Sequence, residues 1–152
     1  MKFLCDVMLA RVARWLRAAG YDTELAGASL ADDELLQLAL HEERLLITRD
    51  KHFLEMKEGK EVVIFLASNS VSACLEELNQ KLKLNWLYRP FSRCLLCNTI
   101  VVLAEPQAVE EQVPEDTRRA QVDFWYCSCC KKVYWEGSHT KRMRQRLTEF
   151  GQ

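Results

Sequence analysis

The chain has 152 residues, of which 49% are hydrophobic and 28% charged, and its formal net charge is -1. That supply of apolar residues excludes a disordered chain, and the charge balance excludes a polycation. The longest apolar run, Val62 to Ala67, is far short of the roughly 20 residues a membrane helix needs, so no membrane partner is expected. The start, Met1-Lys2-Phe3-Leu4-Cys5-Asp6, reaches a carboxylate before a signal-peptide core could form, which predicts a cytoplasmic protein in a reducing compartment. There the seven cysteines, five of them after residue 93, read as metal ligands rather than as a disulfide framework.

In chain order, Phe3 to Cys5 reads as a strand. Met8 to Ala19 places Leu9, Val12, Ala13, Leu16 and Ala19 at helical spacing, with Gly20 as the stop. A second helix carries Leu35, Leu36, Leu38 and Ala39, with Asp32 as its expected N-cap. Leu45 to Thr48 and Val62 to Leu66 read as strands, and Ser72 to Leu84 as a helix with Leu75, Leu78 and Leu82 on one face. Strands alternating with helices predict an α/β fold, a parallel sheet with helices on both faces.

Arg89-Pro90 marks a boundary, giving a first domain over 1–88 and a second over 89–152. The first carries 11 basic and 14 acidic side chains and the second 10 and 8. After the boundary come short β-type pieces (Thr99 to Leu103, Phe124 to Tyr126, Lys132 to Trp135), an unassigned polar stretch from Glu105 to Gln121, and a basic helix over Ser138 to Phe150.

Cys94-Leu95-Leu96-Cys97 and Cys127-Ser128-Cys129-Cys130 each contain C-x-x-C. Cys94, Cys97, Cys127 and Cys130 can surround Zn²⁺ tetrahedrally and replace a core that about 60 residues cannot supply alone. Cys5 and Cys74 sit in apolar contexts and read as small buried residues.

Three acids stand where a parallel sheet binds ligands, at the carboxyl ends of strands. Asp6 follows the first strand, Asp50 follows the strand ending at Thr48, and Asp32 opens the second helix. Converging carboxylates need cations, and Mg²⁺ or Mn²⁺ takes hard oxygen ligands. Such a site can activate water and stabilise a phosphodiester leaving group. The bland alternative is a helix cap and two solvated loop acids. Arg11, Arg14 and Arg17 recur every three residues along the first helix and could hold phosphate, as could Arg49 beside Asp50. Lys131, Lys132, Lys141, Arg142, Arg144 and Arg146 offer a second basic surface, with Trp125, Tyr134 and Trp135 as stacking platforms or as ribbon core, and His139 reads as a helix-start residue.

The segments Phe3-Leu4-Cys5-Asp6-Val7-Met8-Leu9, Arg14-Trp15-Leu16-Arg17, Gly20-Tyr21-Asp22 and Leu46-Ile47-Thr48-Arg49-Asp50, with Pro90-Phe91-Ser92-Arg93-Cys94 and Tyr134-Trp135-Glu136-Gly137-Ser138-His139, resemble the Mut-seven C-terminal RNase domain family. The resemblance runs over nearly the whole chain. It implies a PIN-like nuclease domain fused to a C-terminal zinc ribbon with a terminal basic helix, and metal-dependent cleavage of RNA. By position, Asp6, Asp32 and Asp50 match the acidic motif residues and would hold Mg or Mn, with Asp33 a second candidate for the middle ligand. The RNA-binding set is then Arg14, Arg17, Arg49, Lys131, Lys132, His139, Arg142 and Arg146. A fourth acid often found two residues after the Thr-x-Asp acid is His52 here. That departure supports a rival reading, a non-catalytic RNA-binding adaptor. A toxin-type nuclease would not require the ribbon.

Overall fold

A computed structural model describes all 152 residues. Four parallel strands form the first sheet: β1 (Lys2–Cys5), β2 (Asp22–Leu25), β3 (Leu45–Thr48) and β4 (Val63–Phe65), in the order β2-β1-β3-β4. The helices between them are α1 (Ala10–Ala18), α2 (Asp32–His41) and α3 (Val71–Leu82). β1 and β3 are apolar runs because both faces of a parallel sheet are covered. Phe3, Cys5 and Ile47 face a core shared with α1 and α3, while Leu4 and Leu46 face a smaller one with α2 and Phe53.

α1 ends where Gly20 takes a φ of 100°. The amide of Gly20 donates to the Arg17 carbonyl and that of Tyr21 to the Leu16 carbonyl, which satisfies two end-of-helix acceptors. A Cβ at Gly20 would lie 2.4 Å from the Arg89 carbonyl oxygen, so this glycine also admits the chain that leaves for the second part. The N-cap of α2 is Ala31, not Asp32, which is the first helical residue. The Glu34 carboxylate takes over part of the capping by accepting from the Ala31 amide at 3.2 Å. β2, the sequence DTEL, has too little apolar character to announce itself as a strand.

The second sheet is small and antiparallel, formed by β5 (Val102–Leu103), β6 (Trp125–Cys127) and β7 (Lys132–Tyr134). The polar stretch before β6 folds as two short helices, α4 (Pro106–Gln112) and α5 (Glu115–Ala120). The terminal helix α6 (Ser138–Phe150) returns to the first part of the chain. Its Met143 and Leu147 belong to the same core as Leu16, Leu78 and Trp86, and Phe150 packs on Trp15 and Trp86. The larger core therefore continues across the change of sheet near residue 88. No helix is long and apolar enough to cross a membrane.

Candidate active site and metal centre

The crossovers leave the loops after β1, β2, β3 and β4 at one edge of the parallel sheet, the carboxyl edge. Asp6 and Asp50 stand there, joined by one buried side chain. The Thr48 hydroxyl donates to Asp6 Oδ2 at 2.8 Å and accepts from the Asp50 amide at 3.0 Å. Asp6 Oδ1 accepts from the Val7 amide at 2.8 Å, and Asp50 Oδ1 from the His52 amide at 2.9 Å. Both carboxylates thus cap short 3-10 turns, Val7–Leu9 and Lys51–Glu55, and their orientation is fixed by backbone donors. Each oxygen accepts one hydrogen bond at most and keeps lone-pair capacity for a cation, so the donor set suits a hard divalent ion.

Asp32 lies at the start of α2, after the loop that leaves β2. No hydrogen bond links it to Asp6 or Asp50, and the three carboxylates do not come together as a metal-holding group, as the four cysteines do. Arg49 donates to Asn69 Oδ1 at 2.5 Å, which draws the loop after β4 into the same edge. Its Nε is buried without a partner. His52 is exposed and pairs with Glu55 at 3.7 Å.

Cys94, Cys97, Cys127 and Cys130 bring their sulfur atoms within 4.8 Å of one another. The Cys94–Cys130 and Cys97–Cys127 separations are 3.9 and 3.4 Å. A zinc–sulfur bond of about 2.3 Å in a tetrahedron demands edges of about 3.8 Å, so the four thiols are compatible with a zinc ribbon. Cys130 rather than Cys129 completes the set. The residue after each pair, Asn98 and Lys131, has a left-handed φ, 75° and 59°, which turns the chain sharply around the sulfurs. Tyr134 supports the site with its hydroxyl 2.9 Å from the Cys94 sulfur.

A family model, the Mut7-C RNAse domain, matches residues 1–147. The chain belongs to this family. Comparison with curated proteins and with solved structures gave no match. The matched span of this Mut7-C RNAse domain runs from β1 through the cysteine cluster into α6, so the family unit is the parallel sheet together with the ribbon. The family name carries a ribonuclease activity and RNA as substrate.

The basic residues divide sharply. Arg14, Lys131, Lys132, His139 and Arg142 are exposed. Arg17 is a correction: it is only 5% exposed and cannot present itself to phosphate. Its Nε donates to the Thr23 carbonyl at 2.8 Å and its Nη1 to the Leu95 carbonyl at 3.1 Å, tying α1 to β2 and to the first cysteine pair. Three-residue steps on a 3.6-residue helix drift by about 60° each, so a stripe that begins exposed at Arg11 turns inward by Arg17. Arg146 is also held, between Glu149 at 3.1 Å, the Ser72 hydroxyl at 3.2 Å and the Phe150 ring.

Two further residues organise the molecule. Thr48 lies in the Thr-Arg-Asp segment of the sequence resemblance, and its link to Asp6 is seen only in the fold. Asn98, 4% exposed, was one residue past a cysteine pair. Its side chain accepts from the Thr23 amide at 2.9 Å and donates to Asp22 at 2.7 Å and Glu24 at 3.0 Å, so it closes the open edge of β2.

Proposed function

We propose that this protein is a metal-dependent ribonuclease whose catalytic residues are Asp6, Asp32 and Asp50. The observation that carries the reading is the Asp6–Thr48–Asp50 constellation at the carboxyl edge of a parallel sheet. Mg²⁺ or Mn²⁺, when bound, would supply Lewis-acid polarisation of the phosphodiester and a water acidified for attack. Asp6, oriented by the Thr48 hydroxyl and the Val7 amide, and Asp50, oriented by the His52 amide, would hold that cation, with Asp32 approaching from the start of α2. Arg14 and Arg49 would position the phosphate. Residues 1–88 would form the PIN-like nuclease domain. Residues 89–152 would form the zinc ribbon, with Lys131, Lys132, His139 and Arg142 holding RNA. A reducing, cytoplasmic setting belongs to the same reading, because zinc needs the cysteines as free thiolates.

The test is cleavage of single-stranded RNA with Mg²⁺ or Mn²⁺ by wild type, Asp6→Asn and Asp50→Asn, with thermal melting in parallel. Cleavage is expected to fall by more than the roughly 10–100-fold that loss of a hydrogen-bonding partner of a metal ligand costs, in both variants, with melting retained. Equal cleavage by wild type and Asp50→Asn overturns the reading. Robust RNA binding without cleavage under either metal selects the non-catalytic adaptor, the reading that the missing fourth acid at His52 favours.

A further inference from the structure

A second concavity lies apart from the aspartates. It holds about 560 Å³ between the second sheet, the Pro90–Arg93 segment and the start of α6. Phe91, Trp125, Tyr134 and Trp135 line it together with two basic residues, Arg93 and Arg144, and two acidic ones, Asp123 and Glu136. The structure argues against reading all three of Trp125, Tyr134 and Trp135 as packed core: Trp125 keeps 39% of its surface in solvent. The Glu136 carboxylate on the wall is neutralised by Arg144 Nε at 2.6 Å, and the same guanidinium lies 5.1 Å above the Phe91 ring. Arg93 spends one donor on the Asn98 carbonyl at 3.0 Å and retains others. Flat aromatic faces, one of them exposed, in a volume within the range of small-ligand pockets, are the chemistry that stacks a nucleobase.

The cavity and the aspartates lie toward opposite edges of the parallel sheet. Phe91 is pinned by its amide to the Ala18 carbonyl at the end of α1, beside the start of β2, whereas Asp6 and Asp50 follow the ends of β1 and β3. Four-residue strands separate these edges by about 13 Å. We propose that the cavity is a binding subsite for an unpaired base of the RNA strand, so that the substrate is single-stranded and longer than a dinucleotide. This inference rests on the ribonuclease reading for its substrate, while its binding step is independent of cleavage. A base-paired strand keeps its faces stacked and cannot enter.

The experiment measures fluorescence anisotropy of a labelled oligoadenylate of about 12 nucleotides, a typical site size, and of an RNA duplex of equal length. Both are titrated with the Asp50→Asn protein carrying zinc. The single strand is expected to bind at least tenfold more tightly than the duplex. Adding Trp125→Ala should weaken single-strand binding about tenfold, as loss of one stacking face does, and Trp125→Phe should restore most of it. Trp125 is partly exposed, so its replacement leaves the core intact. Equal affinity with and without the Trp125 ring, or equal affinity for strand and duplex, overturns the subsite. If wild type cleaves RNA while Trp125→Ala leaves affinity unchanged, the subsite alone falls. If the oligonucleotide binds through Trp125 and no metal supports cleavage, the ribonuclease reading alone falls.

Discussion

At the scale of single residues, polar side chains do more of the joining than their positions in sequence announce. Asn98 combines a left-handed φ, which asparagine tolerates better than most residues, with three side-chain hydrogen bonds to β2. Replacing it by alanine strands a buried backbone amide and strains the turn, at an expected cost of about 3 kcal/mol in chemical denaturation. Asn98→Gly keeps the turn without strain and should recover about 1 kcal/mol of that loss, which separates the backbone part from the hydrogen-bond part. The cysteine pairs and the aspartates were legible because their chemistry depends on residue type and spacing. Asn98 and the inward turn of Arg17 were not, because each acquires its role from a partner 75 or 78 residues away in the chain.

At the scale of elements, apolar periodicity located α1, α2 and α3 within a few residues, since one face of each must meet the core, and a run of basic residues marked α6. It missed β2, whose neighbours supply the pairing, and the two short helices α4 and α5, which contribute few buried side chains. How α3 is fixed to the sheet shows a further device. Glu77 accepts from the amides of Ala67 and Ser68 at 3.1 and 3.2 Å and from the Ser68 hydroxyl at 2.8 Å, and it pairs with Lys81 at 3.0 Å. Burial alone would raise its pKa, but these donors outweigh burial and hold it at about 2. A depressed carboxylate stabilises the fold fully above its unfolded value, near 4.5, and loses that contribution as pH falls toward 2. Urea unfolding should therefore show Glu77→Gln less stable by about 2 kcal/mol at neutral pH. The gap should close between pH 4.5 and 2; a gap that persists at the acid end would refute the assignment.

At the scale of the whole molecule, Arg17 and Asn98 tie the parallel sheet to the first cysteine pair, and α6 packs into its core. Zinc bound by the four thiols would then stabilise the parallel sheet as well as the ribbon. Calorimetry of the metal-loaded chain is expected to show a single transition, and zinc removal or Cys97→Ser should lower the midpoint of that whole transition. Loss of a separate ribbon transition, with the rest unmoved, would contradict the coupling. The closure of β2 has a further consequence. A strand at a sheet edge is a template for pairing with another chain unless something covers it. In this molecule the cover is the cysteine turn carrying Asn98, and the apolar face of α1 and α3 is covered by Met143, Leu147 and Phe150. A fragment ending at residue 88 loses both covers at once. It is expected to self-associate in sedimentation experiments where the full chain does not, which makes the ribbon a guard against aggregation as well as a metal module.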